Sequence, residues 1–341
     1  MALQASGQIK YSEIIAEFGT PNSGGIGEYR ISENVGSLSN LPLDTGVPQS
    51  GQIKFSDFYS KKLNQIVDLY SIGNNTSRQN AKDRWNTGNV HIVGSTKTGK
   101  TQPPNTNDDR VIINVNATIA SVKGTQTHCA LRTGTWDTNT TLEIEIGTSG
   151  KLYGSGGDGG TGGNANETPG TDGQTGSSAL GIEYPCSVNN LGVIQSGYGG
   201  GGGGGGNTRT TGGGKKGGAT TNGSSGGGGG GGAGLPAGSA GGVSTPLSQG
   251  GGSAGSAGQA GSLSGQATGG AGGSEAAAGG NSSPVNNSAS KADDGATASG
   301  AASPGTGGNN GYAIITNQGS APSLSGGGTL TGRTITSTNP T

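Results

Sequence analysis

The sequence predicts a mainly β fold in which a small mixed N-terminal module precedes a glycine-rich strand array of the polyproline-II type. Three observations support this prediction. Glycine accounts for 78 of 341 residues and apolar residues for only 27%, whereas an ordinary globular domain is roughly 45–50% apolar. Apolar and polar residues alternate along 141–146, as in a half-buried strand. A short motif also occurs twice before residue 62, and most of the glycine follows residue 154.

The composition changes along the chain and predicts three parts. Residues 1–62 form an N-terminal module with the internal repeat, residues 63–153 a β-rich domain, and residues 154–341 a glycine-rich domain with exposed loops. Most of the large apolar residues precede residue 154, so the chain cannot bury a large side-chain core along its whole length.

The N-terminal repeat predicts two similar small units. Residues 6–13 return as residues 50–57, with five identical positions followed by an aromatic residue, a serine and an acid in both copies. We expect Ser12 and Ser56 to be N-caps, each ahead of one or two helical turns. A unit this small cannot bury its apolar face alone. It should therefore pack against its twin, another subunit or a partner protein.

The β-rich part contains three predicted strands: 90–93, 110–119 and 141–146. In the last of these, Leu142, Ile144 and Ile146 share one face and the two glutamates share the other. Trp136 is the expected core anchor. We expect a small β-sandwich or a layered sheet.

The glycine-rich part has three possible structures. Disorder is the default for such a composition, because glycine loses the most entropy on folding. Collagen needs glycine at every third residue, and the run 199–206 and the stretch 207–226 break that phase. A packed array of polyproline-II-like strands remains. Its chains can approach closely where they lack side chains, and backbone hydrogen bonds replace apolar burial. We favour the packed array.

Charge and length exclude several classes of protein. A net charge of −1 and a pI near 6.1 argue against nucleic-acid binding. No stretch approaches the roughly 18 apolar residues of a membrane span, and residues 1–7 do not have the pattern of a signal peptide. Two cysteines, Cys129 and Cys186, are too few for a disulfide scaffold. We favour buried thiols for both cysteines, and a single disulfide bridge between them is the alternative.

The motifs that could carry chemistry do not form a site. Residues 94–101 fit the P-loop pattern, but Pro103 and Pro104 prevent the helix that would hold phosphates. We therefore expect a β-hairpin connection there. His91 and His128 have no partners at metal-ligand spacing. The sequence thus predicts no enzyme and no catalytic, cofactor-binding or metal-ligating residue, although calcium at the acidic loops stays open.

Receptor binding is the remaining kind of site, because adaptable polar side chains and exposed aromatics on loops suit it. Candidate residues interrupt the glycine-rich part, and plain turns are the alternative interpretation of each. They are Tyr198, Asn207, Arg209, Lys215, Lys216, Asn286, Asn287, Lys291 and Asp293.

The sequence resembles a known group of proteins at three places. Residues 1–9, with their return at 50–59, resemble the N-terminal module of many phage tail-fibre and virion structural proteins. Residues 131–157 resemble glycine-rich phage fibre proteins, and residues 311–315 resemble their C-terminal strand. The glycine-rich half is similar in kind to the polyglycine-II tip adhesins of T-even-like phages. Unlike those adhesins, this chain carries its own N-terminal module and a β-domain.

The resemblance implies a virion protein, a tail fibre or adhesin on the phage surface, that attaches to the host. Residues 1–62 would dock to other tail or fibre proteins, and the distal loops would bind a host surface glycan or outer-membrane protein. Several copies would raise avidity, so a homo-oligomer is expected. The alternative is a purely structural virion protein, such as a whisker, a decoration protein or a fibre connector.

Overall fold

The computed structural model describes residues 2–69, 76–164, 168–205, 207–211, 220–224, 228–242, 297–298, 303, 305–317, 321–336 and 338–341. Strands far outnumber helices within these ranges, so the predicted mainly β class is confirmed. None of the described helices is long and apolar enough to cross a membrane.

The N-terminal module is mixed, as predicted. Its elements are α1 (Tyr11–Phe18), a 3-10 turn (Ile26–Tyr29), the antiparallel strands β1 (Glu33–Val35) and β2 (Leu38–Leu41), and a second 3-10 turn (Phe55–Phe58). Phe18, Tyr29 and Phe58 are fully buried at its centre. Their ring centroids lie 5.5–6.3 Å apart, so an aromatic cluster joins the two copies of the repeat.

The two copies of the repeat contact each other directly. The twin copy was one of the three packing partners that the sequence left open. Tyr11 meets Phe55 edge to face with ring centroids 6.4 Å apart. The Tyr59 hydroxyl donates a hydrogen bond to the Gly7 carbonyl. The repeat is therefore a pair of units that pack within one chain.

The predicted serine caps were wrong. Helix α1 begins at Tyr11, and the backbone N–H of Lys10 donates to the Glu13 carboxylate at 2.8 Å. The second copy repeats this contact between Lys54 and Asp57 at 2.7 Å. An acid at the third helical position therefore satisfies the N–H of the capping residue, and each turn begins before its serine.

Three parallel sheets form a three-sided solenoid of five coils. The first face contains β3 (Asn64–Asp68), β7 (Arg110–Val115), β10 (Thr141–Ile146), β13 (Cys186–Asn190) and β19 (Ser323–Ser325). The second contains β4 (Thr76–Ser77), β8 (Thr118–Ala120), β11 (Lys151–Tyr153), β14 (Val193–Gln195) and β20 (Thr329–Thr331). The third contains β5 (Gln79–Asn80), β9 (Cys129–Arg132), β12 (Ser178–Ile182), β18 (Tyr312–Thr316) and β21 (Arg333–Thr336).

The core of the solenoid is a set of stacked apolar ladders. On the first face Val67, Ile113, Ile144 and Val188 pair in register from coil to coil. On the second face Ile119, Leu152 and Ile194 do the same. All seven are fully buried. A single coil cannot bury these side chains, so the stacking of neighbouring coils creates the core.

The three-sided solenoid is observed where a small β-sandwich or a layered sheet was expected; its neighbouring coils pair in parallel and not as antiparallel hairpins. The predicted strand at 110–119 is two strands, β7 and β8, which lie on different faces on either side of a corner at Asn116. The strand at 141–146 is confirmed, with Leu142, Ile144 and Ile146 buried. Trp136 is buried in the core, as predicted.

The first coil is extended by a short antiparallel edge. Helix α2 (Ala81–Asn86) is capped by the Asn80 side chain, and β6 (His91–Ile92) pairs with β3. The segment with the P-loop pattern continues as a one-turn helix, α3 (Ser95–Thr98), so the expected hairpin connection was wrong. No helix follows Thr101 in the described residues up to Arg110, which confirms that part of the prediction.

The N-terminal module covers the outer side of the first face. Ile66, Ile92 and Ile112 of that face share one apolar cluster with Ile14 and Leu43 of the module. The Leu63 backbone N–H also donates to the buried Glu17 carboxylate at 2.7 Å. The module and the first two coils therefore share a core.

The strand pairing also crosses the sequence-based boundary at residue 153. Strands β12, β13, β14 and β18 to β21 all follow that residue, yet they complete the same three sheets. Cys129 and Cys186 in these sheets are both free thiols, so the bridge that the sequence left open does not form. Burial raises the pKa of each thiol to about 12.

Candidate functional site

The glycine-rich chain leaves the solenoid at one corner, between its second and third faces. In coil 1 only Arg78 separates β4 from β5, and in coil 5 only Gly332 separates β20 from β21. In coil 3 the same corner holds residues 154–177, and in coil 4 it holds residues 196–311. The glycine-rich part is therefore a pair of insertions into one corner.

Six extended segments of these insertions lie side by side and are called the glycine segments here: 154–163, 170–177, 197–205, 228–235, 236–242 and 305–311. Their backbone hydrogen bonds repeat every three residues. Gly156, Gly159 and Gly162 donate to carbonyls of 236–242, whereas Gly157 and Gly160 donate to 197–205. Successive residues of segment 154–163 thus bond different neighbours.

Segment 197–205 is the centre of this array. It bonds four neighbours: 154–163, 170–177, 228–235 and 305–311. Side chains are excluded on these sides, because a Cβ at Gly200 would lie 2.1 Å from the Asp158 carbonyl oxygen. This surrounding explains why every residue of this segment from 199 to 205 is glycine, within a run of eight glycines at 199–206.

An outer segment keeps side chains in one direction only. Segment 154–163 has the pattern X-Gly-Gly, with Ser155, Asp158 and Thr161 at the X positions. The Ser155 hydroxyl lies 3.0 Å from that of Ser177, and the Thr161 hydroxyl 3.0 Å from that of Thr171. The serine pair is buried and the threonine pair is exposed, while the intervening glycines pack against the neighbouring segments.

At one end the array continues into a small antiparallel sheet. Segment 197–205 leads to a three-stranded antiparallel sheet of β15 (Asn207–Thr211), β16 (Thr220–Ser224) and β17 (Thr297–Ala298). A cleft of about 360 Å³ at the neighbouring turn is lined by Thr161, Asn164, Thr168, Pro169, Thr171 and Gly242, among others. This end, called the array tip, carries the candidate binding surface.

The predicted receptor-binding residues fall into three groups. Asn207 and Arg209 lie on β15 at the array tip, and Arg209 is in register with Asn222 and Ala298. Tyr198 is only 2% exposed, so it lies inside the array, in contrast to the exposed aromatic that the sequence suggested. The remaining six candidates lie outside the described residues: Lys215, Lys216, Asn286, Asn287, Lys291 and Asp293.

Sequence reasoning missed Asn164 and Thr168, which line the cleft at the array tip. The signal was available, because the X-Gly-Gly pattern stops at Asn164 and Pro169 follows. Proline and asparagine are common in turns. A change of pattern within glycine-rich sequence therefore marks a loop.

Titratable side chains in the described part of the chain do not assemble a group of three or more potential metal ligands. His91 instead pairs with Glu33 at 2.8 Å and joins the N-terminal module to the edge strand β6. A cavity of about 530 Å³ lies between this module and the solenoid, lined by Leu3, Glu17, Lys100 and Asp109, among others. Burial raises the pKa of Asp109 there to about 6.

Comparisons with known proteins point to one group. A chain in the crystal structure of the gp37-gp38 adhesin tip complex of the bacteriophage S16 long tail fiber is 19% identical; the match covers 97% of this chain and 100% of that chain, with a TM-score of 0.38. A search of curated proteins found no match. The model of the family described as phage tail fibre adhesin Gp38 matches residues 80–335, from β5 to β21. Since this match spans more than half of the sequence and includes both glycine insertions, the chain belongs to the phage tail fibre adhesin Gp38 family and is a component of a virion tail appendage.

Proposed function

We propose that this protein attaches the phage to the surface of its host cell through the array tip. The observation that supports this most strongly is the position of both glycine insertions at one corner of the solenoid. In this arrangement the array carries polar residues such as Asn207 and Arg209 beyond its glycine segments, and polar side chains presented by a stable scaffold are typical of a binding surface. Membership of a tail fibre adhesin family agrees with this role.

We also propose that the glycine segments adopt the polyglycine-II conformation. A helix with three residues per turn directs successive N–H groups to three different neighbours, and the three-residue repeat of the hydrogen bonds is consistent with that geometry. Parallel and antiparallel neighbours occur together. Segment 170–177 runs antiparallel to 154–163, whereas 236–242 runs parallel to it. Such an array would give a stiff support without an apolar core.

Residues 1–62 are the proposed attachment module, and they lie outside the family match at 80–335. Phe55 is 43% exposed, and Tyr11 and Ile53 beside it are only partly buried. An apolar and aromatic patch of this kind suits a protein partner. The S16 structure is titled as a complex of gp37 with gp38; by analogy we propose a tail fibre subunit as the partner here.

Binding of the labelled full-length protein to host cells tests the adhesin role. We expect saturable binding that competes with phage adsorption. A variant in which residues 207–222 and 281–299 are replaced by neutral turns should lose binding and keep the melting temperature of the solenoid. Leu191→Lys changes an exposed residue on the solenoid and should leave binding unchanged.

The same assay separates the alternative functions. If the wild-type protein binds no host cell, and phage carrying the loop replacement adsorb normally, the protein is a structural part of the tail without a receptor. If Phe55→Asp prevents incorporation into particles while cell binding of the purified protein persists, attachment through residues 1–62 is supported.

A further inference from the structure

A loop of the second coil occupies the same corner as the glycine insertions. Residues 121–128 lie between β8 and β9 and are called the coil-2 loop here. Coils 1 and 5 turn this corner with a single residue, Arg78 or Gly332. The coil-2 loop is therefore longer than the corner requires, and its additional residues reach the array.

Lys123 of the coil-2 loop joins two glycine segments. Its ammonium group lies 2.5 Å from a carboxylate oxygen of Asp158 in segment 154–163 and 3.3 Å from the Ser239 hydroxyl in segment 236–242. The same Asp158 oxygen accepts the Ser239 backbone N–H at 2.6 Å. One carboxylate oxygen therefore connects the solenoid to two parallel segments of the array.

Charge distinguishes this junction from the other X positions of segment 154–163. Asp158 is the one charged residue of the segment, and the X positions on either side of it are the neutral Ser155 and Thr161. The Lys123 and Asp158 side chains are 29% and 31% exposed, so both charges are largely removed from water. A charge in such surroundings is costly unless it is paired. The ion pair with Lys123 therefore favours one position of the array relative to coil 2.

Two further hydrogen bonds join the coil-2 loop to the array. The Gln126 side-chain amide donates to the Asn310 carbonyl, and the Thr175 hydroxyl donates to the Gly124 carbonyl at 3.4 Å. Asn310 and Thr175 belong to two more of the glycine segments. The Ser178 hydroxyl of β12 donates to the Gln126 carbonyl, which anchors the loop to the third face. Eight residues thus contact four of the six glycine segments from one fixed base.

We propose that the coil-2 loop is a bracket that fixes the direction of the glycine array on the solenoid, with Lys123 as its main positioning residue. The insertions begin and end in coils 3 and 4, so contacts with coil 2 add a lateral support to these covalent connections. A fixed direction keeps the array tip at a constant position relative to the N-terminal module. This inference goes beyond the proposed host attachment and is tested on the purified protein without host cells.

The distance between one spin label on the solenoid and one on the array tests the proposal. Leu191→Cys and Gly242→Cys provide the two sites, since Leu191 is 48% exposed and a Cβ at Gly242 meets only the Thr161 methyl at 3.7 Å. Cys186 is replaced by serine in every protein, because it is only partly buried, whereas Cys129 is fully buried. Pulsed electron paramagnetic resonance of this labelled parent protein should give a narrow distance distribution.

The double variant Lys123→Ala, Gln126→Ala should widen this distribution about twofold, because fewer contacts then restrain the array beside coil 2. The melting temperature of the solenoid should not change. Lys123→Arg should keep the narrow distribution, since a guanidinium also pairs with the Asp158 carboxylate. The matched control is Lys151→Ala, which removes an exposed lysine from β11 on the second face. A distribution as narrow in the double variant as in the parent overturns the proposal.

Zero-length cross-linking of the unmodified protein gives a measurement that does not depend on the folding of a variant. A carbodiimide should join Lys123 to Asp158 through an amide bond, which mass spectrometry of the digested protein identifies. Lys82 and Asp137 lie 3.0 Å apart within the solenoid and provide the internal reference. Lys123→Arg should abolish the first cross-link and keep the second. If the reference cross-link forms while Lys123 stays unlinked, the bracket contact is absent in solution and the proposal is wrong.

Discussion

At the residue scale, glycine in the array is determined by how many neighbours surround each segment. The central segment bonds four neighbours and is almost pure glycine, whereas segment 154–163 keeps a polar residue at every third position. The abundance of glycine predicted a strand array, and the phase of the interruptions indicates which positions have room for a side chain. The burial of Tyr198 could not be read in this way, because its surroundings include segments far away in the sequence.

A pair of alanine substitutions tests this dependence on position. Gly200→Ala should lower the free energy of unfolding by about 3 kcal/mol, the upper part of the range for overpacking, because its Cβ would lie 2.1 Å from a backbone oxygen. Gly242→Ala is the control, since its Cβ would meet only the Thr161 methyl at 3.7 Å. Calorimetry of both variants measures the difference; equal melting curves would contradict close packing at Gly200.

Asp137 gives a pH dependence of known sign. Burial opposes ionisation, but hydrogen bonds from Thr106 and Lys82 lower the pKa of Asp137 to about 2. A folded-state pKa below the ordinary 3.8 means that the stabilisation is complete above pH 4 and is lost as the pH falls towards 2. The side chain is 34% exposed, so after allowance for solvent screening we expect a contribution of about 1 kcal/mol.

The measurement is the acid limb of stability in Asp137→Asn compared with the wild type. The wild type should lose its advantage over the variant between about pH 4 and pH 2, and the two curves should converge below that range. If the difference in stability between the wild type and Asp137→Asn did not change with pH, protonation of Asp137 would not be coupled to unfolding.

At the scale of single elements, the sequence predicted strands better than their boundaries. The alternation at 141–146 was sufficient to predict β10. A shift of its register by one residue would move three buried apolar side chains to the opposite face of the sheet. The split of 110–119 was not visible, since the corner at Asn116 and Ala117 has no glycine or proline. Strands of two or three residues, such as β4 and β8, are too short for any periodicity to identify.

Helix α1 offers a test of the corrected cap. Glu13→Ala should destabilise the N-terminal module by about 1 kcal/mol, which is typical for the loss of a capping interaction. The Glu13 carboxylate accepts the Lys10 backbone N–H at 2.8 Å. Ser12→Ala is the neighbouring control and should change stability by less than about 0.5 kcal/mol. Urea unfolding distinguishes the two, and a larger effect of Ser12→Ala would restore the serine cap.

At the scale of the whole molecule, the solenoid was hidden because its repeat is weak and interrupted. Equivalent strands share little more than one inward apolar residue, as with Ile119, Leu152 and Ile194. Residues 196–311 separate β14 from β18 within one coil, so no local pattern could connect them.

This topology predicts that the solenoid folds without the array. Gln195 is in register with Thr331, and Tyr312 with Arg333; in coil 5 a single residue, Gly332, joins the corresponding positions. Deleting 197–311 should therefore let Ser196 make the same connection in coil 4. Deleting 155–177 as well should let Gly154 join β11 to β12 in coil 3.

The double deletion should give a soluble protein with one cooperative unfolding transition and a circular dichroism spectrum dominated by β structure. The buried ladders that stack the five coils remain, and both shortened corners have a precedent in the same molecule. Deletion of 141–153 is the matched control, because it removes β10 and β11 from the middle of the stack and should abolish folding. If the double deletion were as unfolded as this control, the array would be part of what stabilises the solenoid, and the two would have to fold as one unit.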